Sequence, residues 1–488
     1  MDLFKRIFLV AESTELLDQF VSKNIYSIDD FHNTEYFSIK NFKTDSIEKF
    51  ILLKYSIIEK LDYSKSYNKA FISILLEFSE RFNLISATLR IYSVLEDNDV
   101  KIGFRLQAGL MYLYNVDSNS RLIERFQKIC ELIEKSIEYE EDNETKSICT
   151  FLNYYATVII NTHTSFTELL INKINYALSN HQFHFLKNPA ISDVLKFQIF
   201  EPEACYNKIQ SLINKLLEKN CTDSIHSFEP NLDNQILIEK DTDYANILRK
   251  SNKTFSIIRN ISVIKLSCVK EKEDFFFSLG RGVSILENEN QLFLYMNSFG
   301  KMHNEKLINA FQFLPDNIIN ENISLIDWGS GQAIATISYF DFIKKNNVKN
   351  VALIEPSKLA IKRGALHVRE YYEDIKINTV NKDLDSLKNS DLSGLGANVN
   401  LHFFSNILDI DFFSIKTLIE KIETNFKGKN YFVCVSPYIT DLKTSRLDAF
   451  MSHFNNHINF KVLCSINNRV GEWKNNWSRV VRVFEVNI

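Results

Sequence analysis

The sequence has little glycine and little proline for its length. Among 488 residues there are 12 Gly and 6 Pro, while 45% of the residues are hydrophobic. So few chain breakers exclude a low-complexity chain and argue against a turn-rich β-sandwich. The length and the apolar content allow more than one packed core, so we expect about two to three domains built mainly from long regular elements.

The cysteines give no sign of a covalent or metal-bound framework. Their total is odd, and no two of them have the C-x-x-C spacing of a zinc or redox site. We therefore predict reduced, buried thiols and no metal ligands. The seven residues are Cys130, Cys149, Cys205, Cys221, Cys268, Cys434 and Cys464.

Neither sign of charge dominates, and long apolar runs are absent. The chain has 57 Lys and Arg residues and 61 Asp and Glu residues. This balance argues against nonspecific nucleic-acid binding by counterion release, although it allows a local basic groove. The apolar run Ile7–Ala11 stops at Glu12 and is shorter than a signal segment or a membrane span. The sequence therefore predicts a cytoplasmic protein that does not bind membranes.

Residues 1–225 have helical periodicity almost throughout. Leu122, Phe126, Ile129 and Ile133, for example, recur at intervals of three and four, which places them on one face of a helix. Short polar segments connect such stripes, so we expect an all-α bundle or an irregular solenoid. No fixed repeat period is present, and a tetratricopeptide or ankyrin array is not supported.

The pattern changes twice in the second half of the chain. Residues 226–290 are interpreted as a connector or small subdomain, with short strands predicted at Gln235–Ile238 and Ser262–Leu266. Within residues 291–488, apolar strands alternate with amphipathic helices, which is typical of a doubly wound α/β sheet. Seven strands are expected there, and the last two are joined without room for a long crossover helix.

The first of these strands ends in a glycine-containing turn, Asp327-Trp-Gly329-Ser-Gly331-Gln-Ala. Closely spaced glycines between a strand and a helix let backbone amides approach a ligand, although Gly-x-Gly alone also fits a plain tight turn. Asp327 lies just before the turn, and Glu355 ends the second strand, where a carboxylate can accept both hydroxyls of a ribose. Ile334 occupies the third glycine position of a dinucleotide fingerprint, which disfavours a nicotinamide cofactor.

These residues, together with the fourth strand, resemble a class I S-adenosylmethionine-dependent methyltransferase. The resemblance covers about two fifths of the chain and implies a seven-stranded sheet whose last two strands are an antiparallel pair. It also implies that S-adenosylmethionine is bound by Asp327, Gly329, Gly331 and Glu355. One departure is Ala333, which replaces the third glycine of the family pattern.

The resemblance implies three further sites. Asp383 follows the third strand, where the family often binds the adenine amino group; Asp385 is a competitor, and a loop acid or helix cap is the structural alternative. Ser405 and Asn406 end the fourth strand, where the methyl group meets its acceptor, and are our candidate catalytic residues. The chain has no Asn/Asp/Ser-Pro-Pro-aromatic segment there, but proximity in a desolvated pocket can supply much of the rate.

Three other polar side chains have two interpretations each. Lys301 and His303, on a helix before the sheet, either face the cofactor or acceptor or lie on a solvated helix face. His402 in the fourth strand is more simply explained as a core residue than as a base, because its neighbours are apolar.

The preferred function is methyl transfer to an unidentified acceptor, a protein or RNA rather than a small molecule, selected with help from the N-terminal helices. The alternative is a helical scaffold or interaction protein with a non-catalytic methyltransferase-like domain. A nicotinamide-dependent oxidoreductase is a weaker third hypothesis. The oligomeric state is open.

Overall fold

A computed structural model describes most of the chain. It covers residues 3–37, 44–113, 119–140, 144–197, 201–223, 236–267, 269, 279, 282–343, 347–411 and 413–488. The predicted boundary at residue 225, together with Gln235 and Cys268, lies outside these ranges. The chain divides into two compact units, one made of residues 1–226 and 439–445 and the other of residues 227–438 and 446–488.

The described part of the N-terminal region is helical, as predicted. The predicted stripe of Leu122, Phe126, Ile129 and Ile133 is buried, although the helix is interrupted at Arg125. The helices are α1 (Leu3–Val10), α2 (Thr14–Glu35), α3 (Thr44–Ile58), α4 (Ser66–Arg81), α5 (Ile85–Asp97), α6 (Phe104–Leu113), α7 (Asn119–Glu124), α8 (Phe126–Tyr139), α9 (Thr145–Asn161), α10 (Thr164–Ser179), α11 (Pro189–Val194) and α12 (Pro202–Asp223).

Four more helices precede the sheet within the described residues, and one of them corrects a prediction. They are α13 (Asp243–Arg249), α14 (Phe255–Ser267), α15 (Glu289–Ser298) and α16 (Gly300–Phe311). The predicted strand Ser262–Leu266 is wrong because it lies inside α14. Ile258, Ile261 and Leu266 of α14 are buried, so the apolar run belongs to the face of a longer helix. Residues 236–240 form no strand.

The remaining elements alternate as the sequence predicts. The strands are β1 (Ile323–Trp328), β2 (Val348–Ile354), β3 (Lys376–Val380), β4 (Val399–Ser405), β5 (Lys429–Ser436), β6 (Lys461–Asn468) and β7 (Arg479–Asn487). The helices between them are α17 (Ile334–Phe342), α18 (Lys358–Tyr371), α19 (Asn389–Leu392), α20 (Ile415–Asn425) and α21 (Asp441–His453).

The seven strands form one sheet in the order β3-β2-β1-β4-β5-β7-β6. The pairs among β1 to β5 are parallel, whereas β7 is antiparallel to both β5 and β6. The predicted sheet with its terminal antiparallel pair is therefore confirmed. The order reverses between β1 and β4, and ligands of open α/β sheets bind at such a switch point, beyond the carboxyl ends of the strands.

Residues before the sheet contribute to the same core as the sheet. Tyr244, Leu248, Phe255 and Ile258 are each at most 5% exposed and belong to one apolar cluster with Leu325 of β1. The segment that the sequence suggests as a connector therefore packs into the core of the α/β unit.

None of the described helices is both long enough and apolar enough to cross a membrane. The five cysteines whose side chains are described, Cys130, Cys149, Cys205, Cys434 and Cys464, are buried, which confirms the predicted burial for them.

Candidate functional site

The turn after β1 has the backbone shape that its glycines predict. Gly329 and Gly331 have φ values of +61° and +50°, in the left-handed region that favours glycine. Ala333 has the same conformation, with φ +61° and ψ +37°. An alanine there costs about 1–2 kcal/mol relative to the right-handed form. Ala333, which departs from the family pattern, therefore keeps the conformation of the turn but lowers its stability.

The two glycines of the turn differ in what surrounds them. A Cβ atom added to Gly331 would meet no atom within 4 Å, so this part of the backbone faces open space. A Cβ atom added to Gly329 would lie 2.2 Å from Cδ1 of Ile407. The close approach that Gly329 allows is thus made by Ile407 of the chain itself, and the space available to a ligand lies at Gly331.

Glu355 lies beside this space and is bonded to the turn. Its Oε2 accepts a hydrogen bond from the Gly331 amide at 2.9 Å, and its Oε1 accepts one from the Ser357 amide at 2.9 Å. Burial raises the pKa of Glu355 to about 7, although both amide bonds oppose the shift. Each carboxylate oxygen has a second lone pair, so the group can still accept hydroxyl hydrogens.

Asp327 is bonded to the helix that follows the turn. Its Oδ2 accepts hydrogen bonds from the hydroxyl of Thr336 at 2.7 Å and from the Thr336 amide at 3.3 Å. Burial raises the pKa of Asp327 to about 7, with a smaller contribution from the negative charge of Glu355. Asp327 therefore fixes the start of α17, and its predicted contact with the cofactor stays a prediction.

The two acids after β3 make local bonds. The two carboxylate oxygens of Asp383 accept from the amide of Ser386 at 2.7 Å and from its hydroxyl at 2.8 Å. Asp385 accepts from the amide of Ser414 at 3.1 Å. The turn-forming role that the sequence allows for Asp383 is present, and adenine binding by Asp383 stays a prediction.

Ser405 and Asn406 are placed at the switch point. Trp328, the last residue of β1, pairs with Phe404 of β4, so the end of β4 is adjacent to the glycine turn. Asn406 has a φ of +57°, and its side-chain Oδ1 is buried without a hydrogen-bond partner among the described residues. Asn406 thus presents a buried acceptor atom at the end of β4, where a bound ligand could supply its partner.

His402 is a core residue, as predicted. Its Nδ1 accepts from the indole of Trp328 at 3.2 Å, and its Nε2 lies 3.0 Å from Oδ1 of Asn430. Burial lowers the pKa of His402 to about 4. The neutral ring is fully buried and is held between these two partners.

Helices α15 and α16 border the turn. The side-chain amide of Gln332 donates to the carbonyl of Leu292 in α15 at 2.9 Å. Burial raises the pKa of Tyr295, and the charge of Glu355 adds to the shift. His303 contacts Tyr295, with ring centroids 5.8 Å apart. His303 is buried and Lys301 is exposed, so only Lys301 lies on a solvated face.

Lys306 is a residue that the sequence analysis missed. It is 0% exposed, and its Nζ has no hydrogen-bond partner in the described part of the chain. Burial lowers the pKa of Lys306 to about 7, against the opposing effect of Asp409. Asp409 follows β4 and accepts from the hydroxyl of Ser436, the last residue of β5, at 2.7 Å. Asp409 and Ser436 therefore lie at the carboxyl ends of β4 and β5, and Lys306 lies near enough to Asp409 to interact with its charge.

His367 is a second residue that the sequence analysis missed. Its Nδ1 lies 2.9 Å from the carbonyl of Gln332, and a carbonyl only accepts, so Nδ1 carries the proton. The Nε2 atom then accepts from the hydroxyl of Tyr244 at 2.7 Å. One turn before His367, Gly364 packs closely against the turn, since a Cβ atom there would lie 3.1 Å from the amide nitrogen of Ala333. Helix α18 therefore packs against the glycine turn and contacts its backbone at Gln332 and Ala333.

The strand order and the turn geometry agree on one architecture. The C-terminal α/β region has the class I methyltransferase fold. No family model and no curated protein matches the chain.

The chain is similar to several solved methyltransferase structures. A plantazolicin methyltransferase in complex with SAH is 12% identical, over 46% of this chain and 99% of that one, with a TM-score of 0.29. A putative RNA methyltransferase from Pyrococcus horikoshii is 11% identical, over 47% and 95%, with a TM-score of 0.26. A putative class I S-adenosylmethionine-dependent methyltransferase from Listeria monocytogenes is 11% identical, over 76% and 89%, with a TM-score of 0.29. These TM-scores are low, so the fold is assigned from the strand order of the chain itself.

Proposed function

We propose that this chain is an S-adenosylmethionine-dependent methyltransferase whose acceptor is a macromolecule, a protein or an RNA. The observation that carries the proposal is the arrangement of Gly331 and Glu355. The backbone of Gly331 faces open space, and the Glu355 carboxylate lies next to it, bonded to the Gly331 amide at 2.9 Å. A carboxylate in this position can accept hydrogen bonds from the two ribose hydroxyls of a nucleoside.

The polar atoms around the switch point fit the rest of the cofactor. The hydroxyl of Ser330 and the side-chain oxygens of Gln332 and Asn406 are buried without a hydrogen-bond partner among the described residues. Buried polar atoms normally have partners, so these three are candidates to bind the amino acid part of S-adenosylmethionine. When bound, the cofactor would supply an electrophilic methyl group whose leaving group is an uncharged thioether, so that transfer to a nucleophile needs no acid catalysis.

We place Asn406, Lys306 and Asp409 on the acceptor side of the proposed site. A nitrogen or oxygen acceptor that carries a proton must lose it during or after methyl transfer, and an amine whose pKa is near 7 can take it. Burial gives Lys306 such a pKa. We therefore propose Asn406 Oδ1 as the hydrogen-bond acceptor that orients the substrate, and Lys306 as the group that takes the proton once substrate binding opens a path to its Nζ.

The acceptor class is inferred from the N-terminal region. The unit made of residues 1–226 and 439–445 is helical in its described part, and it offers more surface than a small metabolite requires. The proposed role of these helices is to bind the macromolecule that presents the acceptor atom.

The test is transfer of a labelled methyl group. The purified chain and labelled S-adenosylmethionine are added to a lysate of the native host that lacks this protein, and the lysate is then separated into protein, RNA and small molecules. We expect label in the protein or RNA fraction, and none with a Gly331→Val variant. Cofactor binding without transfer to any fraction would instead support a scaffold with a non-catalytic methyltransferase-like domain.

A further inference from the structure

Three side chains converge on one point away from the candidate cofactor site. The Nε2 atoms of His453 and His457 each lie 2.9 Å from the same Oε1 atom of Glu423. All three potential ligand atoms are within 4.8 Å of one another. The side chains are 34%, 29% and 29% exposed for His453, His457 and Glu423, respectively, so an ion can reach them from solvent.

The local structure explains why these residues meet. His453 is the last residue of α21, a single turn of 3₁₀ helix follows at Phe454–Asn456, and His457 comes next. Residues four apart on a helical segment share a face. Glu423 lies in the last turn of α20, which ends four residues before β5 begins.

The position of this cluster separates it from the glycine turn. Helices α20 and α21 begin beyond the carboxyl ends of β4 and β5, and both end near the amino ends of the strands that follow them. Strand β6 is parallel to β5, since both are antiparallel to β7. The cluster therefore lies at the amino edge of the sheet, and the candidate cofactor site lies at the carboxyl edge.

The ligand set matches a known class of metal site. Two imidazole nitrogens and one carboxylate oxygen bind Zn²⁺ with bond lengths of about 2.0–2.2 Å, which separates tetrahedral ligand atoms by roughly 3.3 Å. The observed 2.9 Å separations need only a small widening. Nitrogen ligands favour Zn²⁺ and neighbouring transition metals over Mg²⁺ and Ca²⁺, which take oxygen ligands.

We propose that Glu423, His453 and His457 bind one Zn²⁺ ion, with a water molecule in the fourth position. The ion links the end of α20 to the end of α21, two helices on either side of β5 in the chain. It is distinct from the proposed cofactor site and does not depend on the proposed function. It departs from the expectation of no metal ligands, which was based on cysteine spacing and did not consider a histidine pair whose third partner, Glu423, lies 30 residues before His453.

The test is competition for Zn²⁺ between the full-length chain, stripped of metal, and a chromophoric chelator. We expect one tight site per chain. His457→Gln and Glu423→Gln should each weaken Zn²⁺ binding by more than about 100-fold, because loss of even an outer-sphere partner typically costs 10–100-fold. The matched control is His181→Gln, which changes an exposed histidine elsewhere and should leave the affinity unchanged.

X-ray absorption of the Zn²⁺-loaded wild-type chain gives a readout that does not depend on the folding of any variant. We expect two imidazole nitrogens, oxygen ligands and no sulfur in the first shell. Sulfur ligands, or equal affinity in the wild type and in both ligand variants, would overturn the proposal. Absence of a tight Zn²⁺ site in the wild type would overturn it as well, and would leave Glu423 as the shared partner of two histidines.

Discussion

The affinity of the chain for its cofactor should depend on pH through Glu355. Burial raises the pKa of this carboxyl group to about 7, whereas binding of the ribose hydroxyls is strongest when the group is ionised. The ionised fraction of such a group falls from about nine tenths at pH 8 to about one tenth at pH 6. Affinity should therefore fall about tenfold over this range, equivalent to about 1.4 kcal/mol.

The assay is calorimetric titration with S-adenosylhomocysteine at pH 6, 7 and 8, in buffers with different ionisation enthalpies. Near pH 7 the binding heat should depend on the buffer, because the complex releases a proton. Glu355→Gln should bind more weakly at pH 8, by about 1.5–3 kcal/mol, and should lose most of the pH dependence. The reasoning is refuted if wild-type affinity is constant between pH 6 and 8, or if the variant keeps the wild-type dependence.

The same pKa shift predicts the pH dependence of folding stability. The folded state holds the Glu355 proton more tightly than the unfolded state, so the group's favourable contribution is complete at low pH. That contribution is lost as the pH rises from about 4.5 toward 7. The loss is about 3 kcal/mol at 1.36 kcal/mol per pKa unit. Urea unfolding without cofactor should therefore show the wild type losing stability relative to Glu355→Gln over this range, and a constant difference would contradict the shift.

Three further predictions test the architecture of the site. Gly331→Ala should weaken cofactor binding by about 1–3 kcal/mol, as expected for overpacking. The control is Gly394→Ala, because Gly394 also has a positive φ and open surroundings; this change should lower the free energy of unfolding by a similar amount and leave the cofactor affinity unchanged. His367→Phe should lower the unfolding free energy by about 2–4 kcal/mol, because two buried hydrogen bonds are lost; an unchanged urea midpoint would mean that α18 does not hold the turn. A fragment of residues 227–488 should fold and bind S-adenosylhomocysteine, whereas 285–488 should not fold, because it lacks the buried helices α13 and α14; circular dichroism and titration distinguish the two.

The α/β sheet was predictable because its signals are local. Each central strand is a short apolar run with a turn residue at its end, and the glycine turn is contiguous in sequence. Periodicity does not separate a short strand from part of a buried helix, and this is why Ser262–Leu266 was assigned to the wrong element. The β-branched residues of that run favour a strand locally, but burial of Ile258 and Leu266 on one face selects the helix.

The site was only partly predictable because much of it depends on contacts between distant residues. The sequence does not distinguish Gly331, which faces open space, from Gly329, whose neighbour Ile407 lies two residues after the end of β4. Lys306 resembles any other helix lysine until burial is known. His367 contacts the glycine turn only because α18 packs against it.

The most direct test of the central claim is a titration of the full-length chain with S-adenosylhomocysteine, with NAD as the comparison ligand. We predict binding of one S-adenosylhomocysteine per chain, loss of that binding in Gly331→Val, and no binding of NAD at the same concentrations. Binding of NAD instead, or an unchanged S-adenosylhomocysteine affinity in a folded Gly331→Val variant, would contradict the assignment of the turn between β1 and α17 as a methyl-donor site.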